Sequence, residues 1–436
     1  MKSVAFCTLG CKVNQYETDA MEELFQKSGY AIRDFHEAAD VYVINTCTVT
    51  NMADRKSRQM LHRARKKNPD AVIVAAGCYV QASAETIEAD TAIDLIVGNN
   101  RKGQIVDMVE EFMERHNRAV NLIDINHTSD YETLGITRVS EHTRAYIKIQ
   151  DGCNQFCSYC IIPYARGRVR SRKAEEIIAE VSGLAAAGYK EIVLTGIHIS
   201  SYGTDFGNIG LADLVERLAA VKGIERIRFG SLEPGIVTEE FVRRLARIPQ
   251  ICPHFHLSLQ SGCGETLKRM NRHYTPEDYK QRCELLRKYF DRPAFTTDVI
   301  VGFPGETDEE FEATEKFLEE IHFAEMHVFK YSPRKGTRAA KMPNQVNETV
   351  KTQRSARLLA LGGKMSEDYR KLCEKKVLEV LAEEPVSVDG ETFWTGHSRE
   401  YIKCGIPSDK ILSNQVVRCQ MTGTKREDFV ICEIID

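Results

Sequence analysis

The chain has 436 residues, 42% hydrophobic and 28% charged, with a formal net charge of −4. That length exceeds one ordinary hydrophobic core, so two or three domains are expected, and the charge balance excludes a chain that binds nucleic acid by overall basicity. No run of about 18 apolar residues is present to span a membrane, and the opening MKSVAFCTLG lacks a leader pattern, so a cytoplasmic, reducing location is expected.

The elements alternate from the start. SVAFCTLG reads as a strand and ETDAMEELFQKSG as a helix closed by Gly29. DVYVINT, AVIVAAG and AIDLIVGN read as further buried strands, with DRKSRQMLHRARKKN a helix between the first two. Short apolar runs separated by helices predict an open parallel α/β domain over residues 1–125. No G-x-G-x-x-G follows the first strand, so a dinucleotide site is not supported. Residues 126–143 are polar and aperiodic and read as a linker. A second series over 144–370 has six strand patterns, AYIKIQ, EIVLTGI, RIRFGS, HFHLSL, AFTTDVIVG and EMHVFKY, with helical patterns between them. This predicts a full or partial (β/α) barrel, whose chemistry lies in loops at the carboxyl ends of the strands. Residues 371–436 change to short strands and turns and predict a small antiparallel β-barrel.

Fourteen cysteines are present. Cys153, Cys157 and Cys160 form a C-x3-C-x2-C array directly after the first barrel strand. Three is odd for disulfides and one short of a closed zinc site, and neither His142 nor His198 completes a zinc pattern. Three thiolates on a four-iron cluster would leave one iron open to a substrate or cofactor. Unrelated thiols and half of a zinc site are the other readings. Cys11, Cys47 and Cys78 each follow a predicted strand of the first domain. In a parallel sheet those strand ends lie along one edge, so the three either converge or remain separate buried thiols.

The C-x3-C-x2-C after the first barrel strand resembles the radical S-adenosylmethionine (SAM) enzymes. Together with Cys11 in TLGCKVNQYE, Cys47 in INTCTV and Cys78 in AAGCY, the chain resembles the radical SAM methylthiotransferases over nearly its whole length. The resemblance implies an N-terminal cluster domain, a partial (β/α)6 radical SAM barrel and a C-terminal TRAM domain, an OB-like RNA-binding module. It implies two [4Fe-4S] clusters, one on Cys153, Cys157 and Cys160 that binds SAM and yields the radical, and one on Cys11, Cys47 and Cys78 that carries a sulfide to be methylated by SAM. It implies tRNA as substrate and an electron donor such as flavodoxin, with the oligomeric state, monomer or weak dimer, left open. TLGCKVNQYE and RMNRHYT at 269–275 resemble the branch that acts on N6-threonylcarbamoyladenosine 3′ of the anticodon. The branches acting on isopentenyladenosine or a ribosomal-protein aspartate are the alternatives. An Fe–S electron-transfer or RNA-binding protein is the alternative of another class, and it predicts closed four-cysteine clusters.

Tyr159 occupies the position of an aromatic residue near the SAM adenine in the resembled family. Gly196 and His198 end the second barrel strand, Glu233 and Gln260 the third and fourth, and Gly302 and Gly305 the fifth. Each fits a SAM contact, but turn geometry and loop capping explain the same residues. Asp298 reads as a polar barrel residue. Cys7, Cys252, Cys263, Cys283, Cys373, Cys404, Cys419 and Cys432 read as ordinary thiols, with Cys263 the leading exception. Basic stretches at 54–67, 165–173 and 267–274 are candidates for phosphate contact, and the arginines just after Cys160 are the best placed.

Overall fold

The structure, a computed structural model, describes residues 1–137, 143–207 and 209–435. The first unit is a parallel sheet of β1 (Ser3–Thr8), β2 (Ala31–Arg33), β3 (Val41–Thr46), β4 (Val72–Gly77), β5 (Leu95–Val97) and β6 (Ala119–Asn121), in the order β2-β1-β3-β4-β5-β6. Every residue of β3 and β4 is buried, as expected for strands covered on both faces. The edge strands β2 and β6 have three residues each, too few to show a period in the sequence.

The second unit holds β7 (Arg144–Asp151), β8 (Arg170–Ser171), β9 (Glu191–Gly196), β10 (Arg226–Phe229), β11 (Ser231–Leu232), β12 (His254–Leu257), β13 (Ala294–Val301) and β14 (Glu325–Lys330). Only Gly230 separates β10 from β11, so two four-stranded sheets run into one another. Apart from the short antiparallel β8, the pairs are parallel and follow chain order from β7 to β14. This gives an open arc of parallel strands with helices on its outside. Ala145, Ile147 and Ile149 join Ile177, Val181 and Leu184 of the helix Ala174–Ala186 in the largest core cluster. Alternation then turns Arg144, Tyr146, Lys148 and Gln150 toward the inside of the arc. Arg226 and Arg228, like His254 and His256, alternate with core residues in the same way. The interior is therefore polar and charged.

The helix Glu348–Cys373 leads to β15 (Leu378–Val388), β16 (Glu391–Ser398), β17 (Lys403–Pro407), β18 (Val416–Arg426) and β19 (Phe429–Ile434). The pairing runs β15-β16-β17-β19-β18 and returns to β15. It is antiparallel except between β17 and β19, which pair in parallel. Cys404, Cys419 and Cys432 are all buried within one apolar cluster of this unit, as ordinary interior thiols.

The mixed α/β architecture with a C-terminal antiparallel sheet matches the sequence reading. The described part of the connecting segment, 126–137, is held by hydrogen bonds to both units. Tyr131 donates to the Lys148 carbonyl at 2.9 Å, Glu132 accepts from the Gly103 amide at 2.8 Å, and Thr137 bonds Glu23. This strap is polar because it ties two units together by hydrogen bonds, which leaves no apolar period to read. Residues 138–142 of it, including His142, lie outside the described residues.

The amino ends of the arc are sealed by the C-terminal unit. Glu191 bonds Arg228 at 2.9 Å and Arg226 at 3.5 Å, all three fully buried. Arg226 also donates to the carbonyls of Glu379 and His397, and Arg228 to those of Ser398 and Arg399. Burial opposes ionisation of Glu191, but Arg228 and Arg144 hold its carboxyl down at about 2. Removing one member of a buried ion pair costs about 3–5 kcal/mol, because its partner is left charged and unpaired. Trp394 is the one tryptophan and lies in the C-terminal core. Glu191→Gln is expected to lower the urea midpoint of the Trp394 fluorescence transition. An unchanged midpoint contradicts this coupling of the two units.

Candidate active site

The sheet order explains the first cysteine triad. Strands β1, β3 and β4 are immediate neighbours, and Cys11, Cys47 and Cys78 stand just beyond their carboxyl ends. Adjacent strands lie about 4.8 Å apart, so residues far apart in sequence meet at one edge. Two glycines make the approach possible. Gly10 has φ +103°, and a Cβ there would lie 2.8 Å from that of Cys47; Gly77 has φ +95°, and a Cβ would meet Asn45 Oδ1 at 2.6 Å. Cys11 lies open to solvent, whereas Cys47 and Cys78 are buried. Burial pushes the Cys47 thiol up to about 11, and Cys78 and Cys11 are close enough to raise it further.

The second triad lies on the loop after β7. Gly152, at φ +73°, has no room for a side chain, since a Cβ would lie 1.8 Å from the Arg168 carbonyl oxygen. The Cys153 amide donates to the Gly167 carbonyl at 3.0 Å, and that of Cys160 to the Cys157 carbonyl at 2.9 Å. The run RMNRHY clamps this loop. Asn271 donates to the carbonyls of Gln155 and Phe156, and Ser158 donates to those of Met270 and Arg269. Arg272 donates to Cys157 Sγ at 3.2 Å. Burial lifts the Cys153 thiol to about 11 and the Cys160 thiol to about 12.

Arg166 ties the first triad to the strand that leads into the second. It sits on the short helix Ile162–Arg166, just past the second cysteine loop, and is fully buried. Its Nε donates to Cys78 Sγ at 3.1 Å. Its remaining nitrogens bond Asn14 Oδ1 at 2.7 Å, Glu17 at 2.8 and 3.0 Å, and Asp151 at 3.1 and 3.3 Å. Glu17 also pairs with Lys102 at 2.9 Å and Lys148 at 2.7 Å, and Asp151 with Lys148 at 2.7 Å. Burial would raise the Glu17 carboxyl, but Arg166, Lys102 and Lys148 hold it well below the usual range; Asp151 is held down in the same way by Lys148, Arg166 and Arg170.

The other sequence candidates divide. Glu233 Oε1 lies 3.6 Å from Arg272, while its Oε2 accepts from the Gly235 amide at 3.0 Å, so it faces the site and caps its own turn. His198 bonds Ser201 through Nδ1 and leaves a buried Nε2 without a partner. Burial lowers its pKa, with Glu233 and Arg272 acting on it in opposite senses. Gln260 has φ +70° and extends β12 beside β13, bonding Asp298 O and the Ile300 amide through its backbone. A left-handed non-glycine residue at a strand end is local strain of the kind found at functional sites. Tyr159 packs on Phe303 at 6.4 Å between centroids. Gly196 and Gly302 have packing reasons to be glycine: a Cβ at Gly196 would meet Ile199 at 2.8 Å, and one at Gly302 would meet Lys351 at 2.3 Å. Asp298 lies 3.5 Å from His256.

The basic stretches change meaning. Arg166, Arg170 and Arg172 are buried, the last paired with Glu180, so they are not free for phosphate, whereas Arg168 and Lys173 of the same run are exposed. Arg269 pairs with Glu310, and Arg272 is held at the cysteine loop. Of the helix Asn51–Lys67, Arg55, Lys56, Arg58, Arg63, Lys66 and Lys67 are exposed, with Arg58 bonding Tyr79 and Arg63 bonding His36. Sequence reading missed Arg166, Glu17, Asp151 and Asn271, since buried ion pairs between distant segments leave no spacing signal.

Among the described residues, no group of His, Cys, Asp or Glu side chains is arranged to chelate a single metal ion. An iron–sulfur cluster makes a different demand, because each thiolate binds its own iron. A guanidinium at one sulfur of each triad stabilises the thiolate that such a ligand requires. The donor sets therefore fit a cluster in each place.

Comparison with known proteins decides the family. Residues 147–318 match the radical SAM superfamily, and residues 3–98 match the uncharacterized protein family UPF0004. The chain is 44% identical, over 97% of its length and 94% of the relative's, to the threonylcarbamoyladenosine tRNA methylthiotransferase MtaB of Bacillus subtilis. The chain belongs to the radical SAM methylthiotransferase family. Its cofactors are [4Fe-4S] clusters and SAM. It is also 37% identical, over 86% of the chain and 85% of the relative, to a tRNA-2-methylthio-N6-dimethylallyladenosine synthase of Clostridium botulinum. In fold it resembles the radical SAM methyltransferase TsrM of Kitasatospora setae, with a TM-score of 0.56 at 15% identity over 76% of this chain and 74% of that one.

Arg166→Met is expected to weaken the fold by about 3 kcal/mol in urea titration, because Glu17 and Asp151 lose their shared cation. It is expected to lower the iron bound after anaerobic reconstitution, with Arg166→Lys recovering only part of it, since lysine keeps the charge but not the fork. Unchanged iron and stability in Arg166→Met contradict this role.

Proposed function

We propose that this methylthiotransferase converts N6-threonylcarbamoyladenosine in tRNA, 3′ of the anticodon, to its 2-methylthio derivative. The observation that carries the reading is the pair of cysteine triads, with Arg166 tying the first to the strand that leads into the second, in a chain 44% identical to the Bacillus subtilis relative of that name. Cys153, Cys157 and Cys160 hold the cluster that binds SAM, and Cys11, Cys47 and Cys78 hold the cluster that bears the sulfide. When bound, these groups supply the radical that activates an inert aromatic carbon and the sulfur that replaces its hydrogen.

The protein supplies position and shielding. Asn271, Arg272 and Gly152 fix the loop of Cys153, Cys157 and Cys160, while Asn14, Arg166, Gly10 and Gly77 fix the thiols of Cys11, Cys47 and Cys78. Tyr159, Glu233, Gln260, Gly196 and Gly302 surround the SAM site, the two glycines as backbone spacers. Residues 1–125 form the cluster domain, 126–143 the strap, 144–370 the radical SAM barrel and 371–436 a TRAM-like, OB-like module that binds tRNA phosphates. An electron donor such as flavodoxin reduces the enzyme, which works in the cytoplasm as a monomer or weak dimer. No helix among the described residues is long and apolar enough to cross a membrane.

The test is mass spectrometry of nucleosides from tRNA of cells with and without the gene. The 2-methylthio-N6-threonylcarbamoyladenosine is expected to vanish without it, and to return with the wild type but not with Cys157→Ala. Loss of the dimethylallyl product instead would overturn the substrate and leave the family intact.

A further inference from the structure

The residue after Cys11 is Lys12, in the stretch TLGCKVNQYE, and its side chain has no assigned role. It opens the helix Lys12–Lys27, whose first turn holds no acidic residue. A cation at a helix amino end opposes the helix dipole, so local structure gives no reason for lysine there. Its Nζ lies 6.0 Å from the centroid of the Tyr401 ring, at the sealed end of the arc. Arg228 and Arg144 stand over the same ring at 5.0 and 5.8 Å, and His254 and His397 stack on it at 4.4 and 4.8 Å. Arg144 is neutralised by Glu383 at 3.1 Å and Arg228 by Glu191 at 2.9 Å. Among the described residues, Lys12 makes no ion pair with a carboxylate; Glu191, already bonded to Arg226 and Arg228, acts on it only at longer range. A half-buried ammonium amid other cations, on the residue that follows a cysteine of the first triad in sequence, is arranged to receive an anion.

We propose that Lys12 is the specificity-determining residue that binds the free carboxylate of the threonylcarbamoyl group of the substrate base. This rests on the substrate reading above. The base must present C2 to the triad that contains Cys11, and its N6 substituent lies on the same side of the ring, two ring atoms away. A substituent ending in a carboxylate pairs with Lys12. A dimethylallyl group is a hydrocarbon, and seating it there would strip water from the ammonium without replacement. Discrimination of this kind is strong because the wrong ligand leaves a buried polar group unpaired.

The experiment uses the full chain, reconstituted anaerobically, and anticodon stem-loop RNAs bearing N6-threonylcarbamoyladenosine or its uncharged methyl ester. Binding is read by fluorescence anisotropy, methylthiolation by mass spectrometry, and integrity by iron content. The wild type is expected to bind the acid roughly 10- to 100-fold more tightly than the ester, the range of a hydrogen bond to a charged group. Lys12→Met is expected to abolish that preference by weakening the acid alone, at unchanged iron, and Lys12→Arg to restore it. A wild type that methylthiolates the acid while Lys12→Met keeps the full preference overturns the role of Lys12. So does a Lys12→Met variant that loses both RNAs equally, or loses iron that Lys12→Arg does not restore. A wild type that methylthiolates only a dimethylallyl RNA overturns the substrate reading itself, and this inference with it.

Discussion

The arrangement of the molecule depends on one buried guanidinium. Arg166 follows the cysteine loop of the barrel in sequence, yet it donates to a cysteine of the other domain and to carboxylates of both. Burying it is tolerable only because Glu17 and Asp151 are buried with it, and those two are tolerable only because Lys102 and Lys148 complete the set. Each charge requires the others in place. The network therefore fixes the distance and angle between two thiol triads that no covalent link relates. Reaction between groups held on two clusters needs that fixed geometry, because a small misplacement of reacting centres is costly in rate.

Around this pair the rest of the fold divides its tasks. The parallel sheet brings three strand ends together, the arc of βα units presents the second loop, and RMNRHY pins that loop from the side. The C-terminal unit closes the amino ends of the arc through Glu191, Arg226 and Arg228. The result is an interior lined by charged and polar side chains and sealed at one end, suited to a nucleoside with a polar substituent.

Much of this was legible in the sequence. Alternating strand and helix patterns gave the two α/β units, and the six strands of the arc fall where the apolar runs place them. Cys11, Cys47 and Cys78 were readable because each follows a strand, and the sheet order then makes those strands neighbours. Of the arginines after Cys160, Arg168 stays exposed, while Arg166, Arg170 and Arg172 turn inward for a physical reason. A run such as ARGRVRSRK looks like a basic surface until its partners are known, and Glu17, Asp151 and Glu180 lie in other segments of the chain. The hydrogen bonds of the strap before β7 were not legible either, since polar residues that bond across a domain seam have the composition of any linker. Gly196 and Gly302 were readable as special positions, and close packing against Ile199 and Lys351 is one reason that each is glycine.

The most direct test of two separate cluster sites is iron and sulfide analysis of anaerobically reconstituted protein. The wild type is predicted to bind about eight irons, and alanine at Cys11, Cys47 and Cys78 together, or at Cys153, Cys157 and Cys160 together, to leave about four in each case. A wild type that binds only about four, or a triple variant of either set that keeps the full complement, would contradict the account.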